Sequence, residues 1–305
     1  MTETHHVVLG GNGTVGHETV RALARAGHTP VSVGRRPSTT PGTSWLQADL
    51  LDAAETGRAL HGAAVAYFVP GLLYRSRTWA AQWSTLLQNT VDAALANDTR
   101  LVYLDNVYAY GVTGPSMSED SPIAPVSTKG RIRAAALDVL EAAQSRGLHV
   151  TIARSADFYG PGASNSVFNT FALDKIANGK PPVWLFDADQ PHSLTYTPDI
   201  GRGLALLGDA DVETGTVWHL PTAPPLTGRE YMRLAAGADA RTTVMGTATM
   251  RAGALFNSAA RETLEMRYQY TAPYVFDSSK FTSVFGVHPT PVTEGIATSL
   301  DAARG

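Results

Sequence analysis

Short apolar runs alternate with longer stretches of helical periodicity through the first half of the chain. That alternation predicts an α/β fold, with parallel strands joined by crossover helices. The runs fall at residues 7–9, 31–33, 45–46, 65–69, 101–104 and 150–153. Between the fourth and fifth runs, Trp79, Trp83, Leu86, Leu87, Val91, Ala94 and Leu95 recur on one helical face, a spacing that core packing explains better than an aromatic binding box. Beyond residue 155 the pattern loosens, with Pro and Gly clusters at 160–162, 180–182 and 221–225, which interrupt shorter elements. Helical stretches persist at 201–207 and 295–303, so a smaller lobe woven onto the sheet is expected rather than a separate domain. Phe281, Val284, Phe285 and Val287 are assigned to its packing.

Composition narrows the partners. The 305 residues carry 24 Lys plus Arg against 27 Asp plus Glu, a net charge of −3, which gives no field to collect nucleic acid. With no Cys, disulfides, thiolate nucleophiles and Cys-ligated metals are excluded. No stretch approaches the ~20 apolar residues of a membrane helix, and the first apolar run leads into Gly10 with no targeting segment before it. A cytoplasmic protein, monomeric or homodimeric and acting on a small molecule, is expected.

The first strand runs into Gly10, Gly11, Asn12, Gly13, Thr14, Val15 and Gly16, and a helix through Glu18, Val20 and Leu23 follows. Glycines at such a strand-to-helix turn let the backbone approach a pyrophosphate and set it against the helix's positive end. About 20 residues on, where an acidic residue would meet the ribose of NAD, the chain has Arg35 and Arg36. Two guanidinium groups suit a 2′-phosphate, so NADP is expected over NAD.

The spacing Gly10-x-x-Gly13-x-x-Gly16 resembles the fingerprint of extended and atypical short-chain dehydrogenases/reductases. Asp49 and Leu50 are similar to that family's adenine contact. Val69, Pro70 and Gly71 stand where its fourth strand ends, and the run from Arg154 through Ser155, Asp157, Phe158 and Tyr159 to Gly162 resembles its motif after the sixth strand. The resemblance implies a Rossmann-like, doubly wound parallel sheet. It places a dinucleotide domain mainly in residues 1–155 and a smaller substrate-covering lobe mainly in 156–305, interwoven with the last strands.

Reductases of this kind carry Ser or Thr after the fifth strand and Tyr-x-x-x-Lys on the next helix, the tyrosine moving a proton and the lysine lowering its pKa. Here Asn106 aligns with the serine and Lys129 with the lysine, but Pro125 stands four residues before it. No Lys in the chain has Tyr at that distance. The chain therefore resembles most closely the NAD-dependent epimerase/dehydratase branch in which Asp-Asn-x-Tyr-x-Tyr-Gly and Lys-Gly-Arg-x-Arg occur. The resemblance makes Lys129 a cofactor contact or proton donor, Asn106 an orienting group and Tyr108 a replacement acid. Asp105 and Asp157, each after a strand, are a second possibility. Tyr108, Tyr159, His192 and Tyr196 are expected on the substrate side. The nine His residues offer no His-x-x-x-His spacing, so no metal site is expected.

The leading expectation is an NADP-dependent oxidoreductase reducing a carbonyl, enone or imine. A redox-neutral epimerase, dehydratase or cyclase, and an NADP-sensing binding protein, are the alternatives.

Overall fold

The computed structural model describes residues 5–38, 40–41, 43–238 and 242–304. The first half runs β1 (His6–Leu9), α1 (Thr14–Arg25), β2 (Val31–Gly34), β3 (Ser44–Gln47), α2 (Ala53–Ala59), β4 (Val65–Phe68), α3 (Ser76–Ala96), β5 (Arg100–Asn106), α4 (Thr128–Ser145) and β6 (Val150–Ser155). The second half adds short strands β7 (Asp157–Tyr159), β8 (Val183–Leu185), β9 (Pro191–His192), β10 (Leu194–Tyr196), β11 (Val217–His219), β12 (Leu226–Thr227) and β13 (Thr243–Met245). Its helices are α5 (Asp174–Ala177), α6 (Thr197–Asp209), α7 (Gly228–Ala236), α8 (Thr247–Ala254), α9 (Ser258–Glu265), α10 (Ser279–Phe285) and α11 (Val292–Arg304).

Seven strands pair in parallel in the order β11-β6-β5-β4-β1-β2-β3. Alternate residues leave opposite faces of each strand, and both faces are covered. Val7, Phe68 and Leu101 pack with Leu87 of α3 and Leu140 of α4. Val8, Val65 and Val102 pack with Leu23 of α1 and Leu204 of α6. Burial on both sides explains the uninterrupted apolar runs of β1 and β4, while β3 closes one edge with every residue exposed.

A third cluster forms the lobe, with Phe168, Trp184, Tyr231 and Leu300 among its members. The lobe is not a separate body, because β11 returns to the sheet edge beside β6 and α6 lies on the α1 face. One sequence expectation is corrected here: Phe281 and Phe285 pack on Trp218 of β11 in the sheet's own core, not in the lobe, and Val284 is exposed. Strand order reverses between β1 and β4, and crevices form at such switch points.

Candidate functional site

The carboxyl ends of β1, β4, β5 and β6 open into a cavity of about 700 Å³ that continues into the lobe. Asn12, Gly13, Thr14 and Val15 line one end, with Val69, Pro70, Gly71, Ser155, Asp157 and Phe158 across from them. The glycines build this end without lining all of it. Gly10 adopts φ +87° and its N–H donates to Val33 O at 2.9 Å; a Cβ there would stand 2.7 Å from Pro70 Cα. A Cβ on Gly16 would run into the carbonyl oxygen of Gly10, so α1 packs directly on the turn. Gly13 caps α1 with no side-chain acceptor. The N–H groups of Thr14 and Val15, in the first turn, have no intrahelical partner and belong to the cavity wall. This donor set fits a pyrophosphate.

Asn12 ties the turn to the segment after β2, its Nδ2 donating to Arg36 O at 2.7 Å and Pro37 O at 2.8 Å. Arg35 and Arg36 are exposed beside it, outside the cavity wall.

The sheet's next strand ends supply the polar groups. Asn106 and Tyr108 both line the cavity. The Asn106 Oδ1 accepts the Tyr108 N–H at 3.0 Å, which holds the turn Tyr108–Tyr110. Tyr108 stacks on Trp79, and its hydroxyl is 3.3 Å from that of Tyr74. Burial, and then the negative charge of Asp157, pushes the Tyr108 hydroxyl well above its ordinary pKa, and the same causes act on Tyr270 and Tyr274. These phenols stay protonated, so none of them serves as a base. Asp157 is fixed by three neighbours: His192 Nε2 lies 3.1 Å and the Tyr270 hydroxyl 3.2 Å from its Oδ2, and its N–H donates to the Tyr274 hydroxyl. Asp105, by contrast, is consumed by Arg154 at 3.1 Å and Arg133 at 3.6 Å.

The lobe closes the far end with Phe168, Phe171, Trp184, Leu185, Met266, Gln269 and Tyr270. Phe171 is carried on a π-helical stretch, Asn169–Leu173, of the kind that re-aims side chains at binding sites. Met266, Gln269 and Tyr270 follow α9, which is clamped to the sheet domain. Glu262 of α9 accepts from the N–H of Ser76, and Glu265 from that of Thr128, so two carboxylates sit on the positive ends of α3 and α4. Between them the fully buried Lys129 ammonium binds Glu262, and binds Glu265 and Ser76 at 3.0 Å each. Burial alone would raise the two carboxyls; hydrogen bonds from Lys129, Ser76 and Thr128 outweigh it and hold both low.

With this geometry in view, the comparisons with known proteins are direct. The profile of the NAD dependent epimerase/dehydratase family matches residues 6–220, from β1 through β11. The chain belongs to that family. No curated protein matches it. Solved structures with the same fold include MoeE5 in complex with UDP-glucose and NAD, 22% identical, with a TM-score of 0.80 and 98% of each chain covered. A DesIV double mutant (dTDP-glucose 4,6-dehydratase) from Streptomyces venezuelae with NAD bound is 20% identical, with a TM-score of 0.77 over 98% of this chain and 97% of that one. UDP-N-acetylglucosamine 4-epimerase from Bacillus cereus is 16% identical, with a TM-score of 0.75 over 99% and 96%.

Several sequence expectations need relocation within this family frame. Lys129 is not on the cavity wall, because two carboxylates hold its ammonium at the base of α9; Arg133, one turn later on α4, lines the cavity. Lys129 and Arg133 thus occupy the spacing that reductases give to Tyr and Lys. Arg133 donates to the Tyr103 hydroxyl at 2.9 Å and lies 4.0 Å from the Trp83 ring centre.

Tyr159, His192 and Tyr196 are buried behind the wall rather than in it: Tyr159 packs on Phe168 and Tyr196, and His192 lies between the rings of Tyr270 and Tyr274. Asp49 and Leu50 are likewise off the wall. Asp49 accepts the Leu51 N–H and Leu50 joins the core. Trp79 and Trp83 are core residues that also line the cavity.

Phe171 and Trp184 carried no motif in the sequence, while Gln269 and Tyr270 lie in the stretch 265–270, which resembles the same branch but has no chemistry attached to it. Arg133 did leave a signal, as the second arginine of Lys-Gly-Arg-Ile-Arg. Far from the cavity, the fold also gathers His6, His28 and Asp209, whose ligand-type atoms lie within 4.8 Å of one another among the described residues. Sequence spacing does not anticipate this grouping.

Proposed function

We propose that the protein is an NADP-dependent oxidoreductase that reduces a carbonyl, or the equivalent enone or imine, of a small molecule held between the sheet and the lobe. The observation that carries this reading is the continuous cavity running from the start of α1, whose Gly13 cap has no side chain, past Tyr108 and Asp157, into the lobe. A bound NADPH would supply the hydride. The α1 turn would hold its pyrophosphate, and Arg35 and Arg36 its 2′-phosphate. Arg133, the cation on the cavity wall, would take the nicotinamide-side ribose in place of the expected lysine. Tyr108, protonated by virtue of its burial, would donate its proton to the substrate oxygen. Asn106 would keep that phenol in place through the Tyr108 N–H. Asp157, held by His192 and Tyr270, would accept a hydrogen bond from a substrate hydroxyl.

The family match and the similar structures favour a second reading: redox-neutral epimerisation or dehydration, with NAD retained. Incubation with NADPH deuterated at C4 and a panel of ketones, enones and imines separates the two. Under the first reading, deuterium appears in the released product with stoichiometric loss of NADPH. Product formed without net NADPH consumption would select the second reading, and bound cofactor with no turnover across the panel would overturn the first.

A further inference from the structure

The lobe half of the cavity differs in chemistry from the half that would hold a dinucleotide. Its wall is made by Val167, Phe168 and Phe171, by β8 and by the residues after α9, with the uncharged polar residues Ser164, Asn165, Ser166 and Thr170 beside them, and among the described residues it carries no Lys, Arg or His. Asp157, an anion, stands at its edge, 3.2 Å from the Tyr270 hydroxyl. A nucleoside diphosphate placed here would bring two negative charges to an uncharged, mainly apolar wall, with no cation and with a carboxylate at its edge. Burying unpaired phosphate charge in this way is strongly unfavourable. A helix start also opens on this half, at Ser166 and Val167, but it is already capped, with Ser166 Oγ accepting the Asn169 N–H at 3.1 Å.

The same wall is not featureless. Gln269 is 3% exposed, lines the cavity, and its Nε2 has no hydrogen-bond partner. Buried donors left unmade cost free energy. The Gln269 N–H calls for an acceptor oxygen, and with no cation on this wall to balance an anion, an uncharged acceptor fits it best. An apolar cavity with a few directed polar groups is the usual form of a small-molecule site.

We infer that the substrate is a neutral, largely apolar carbonyl compound, with an acceptor oxygen met by Gln269 Nε2, and not a nucleoside-diphosphate sugar. This rests on the proposed reading of the cavity as a substrate site. It departs from what the similar structures hold.

Three probes test it by ligand-observed NMR with the full-length protein: 2-tetralone, its hydrocarbon counterpart tetralin, and UDP-glucose. Wild-type protein is expected to prefer 2-tetralone to tetralin by about tenfold, with no displacement of 2-tetralone by millimolar UDP-glucose. Gln269→Met keeps the bulk and removes the donor; it should abolish the preference for the ketone while tetralin still binds. Displacement by UDP-glucose in the wild type, which needs no variant, would overturn the inference. So would an undiminished ketone preference in Gln269→Met. A parallel NADPH titration keeps the two readings apart. Ketone binding without NADPH binding would sink the proposed function alone, whereas NADPH binding with UDP-glucose in the lobe would sink this inference alone.

Discussion

The two ends of the cavity are built in opposite ways. At the α1 end the recognition groups are backbone N–H donors, placed by one contiguous turn whose glycines remove every obstructing side chain. At the lobe end they are side chains from segments almost a hundred residues apart, with Phe171 on a π-helical turn and Gln269 behind α9. A backbone cradle suits a ligand common to a whole family, since any sequence with the right glycines builds it. A side-chain wall is free to change with the substrate. Between the two lie Tyr108 and Asp157, where the chemistry would occur.

The sharpest way to break this division is at the junction. Tyr108→Phe removes only the hydroxyl and leaves the ring stacked on Trp79. If that hydroxyl is the acid, turnover should fall by about 10²–10⁴ while NADPH affinity, set at the α1 end, stays as it was. Steady-state rates together with a cofactor titration check both halves of the statement. A near-normal rate would remove Tyr108 from the chemistry.

The second effect separates the sheet from the lobe. His6 on β1 and His219 on β11 are buried; burial, chiefly, lowers their pKa values to about 4 and about 3, from 6.5. As pH falls through 6.5 the unfolded chain takes up protons that the folded chain refuses, so stability declines steadily from there to about pH 4. His6 alone accounts for as much as about 3 kcal/mol of that loss. Denaturant unfolding at pH 7 and pH 4.5 should show the decline, and His6→Gln should flatten it. Hydrogen exchange at pH 5 is expected to rise in β1 and β11 before β8. An unchanged pH slope in His6→Gln would remove that histidine from the account.

The same contrast explains what the sequence reveals. The parallel sheet and the glycine turn are legible because each depends on local order: apolar runs of strand length, and glycines at fixed spacing between a strand and a helix. Asn106, at the end of β5, and Tyr108 and Asp157, just after β5 and β6, were legible from their places at the carboxyl edge of the sheet. Lys129 was legible as a position and misleading as a role, since its partners Glu262 and Glu265 lie more than 130 residues away. His192 and Tyr159 failed for the same reason: three-dimensional packing puts them behind the wall. Gln269 follows no periodicity, and the stretch that contains it carries no chemistry in the sequence. What singles it out is a buried donor without a partner, a property that exists only once the chain is folded.

The smallest expected effect lies at the outer edge of the cofactor end, where the backbone cradle gives way to side chains. Arg35 and Arg36 extend from the end of β2 beside the Asn12 contacts and are exposed, so water weakens any charge they offer a ligand. Even so, a 2′-phosphate carries charge that a ribose hydroxyl lacks, and a guanidinium binds it in a geometry a hydroxyl cannot use. Arg35→Asp reverses the charge, repels the phosphate and offers a carboxylate to the hydroxyl. NADP affinity should fall relative to NAD by about tenfold, equivalent to about 1.4 kcal/mol, with 2-tetralone binding in the lobe unaffected. Parallel titrations with both dinucleotides measure the ratio. An unchanged ratio would remove Arg35 from the choice between the two dinucleotides.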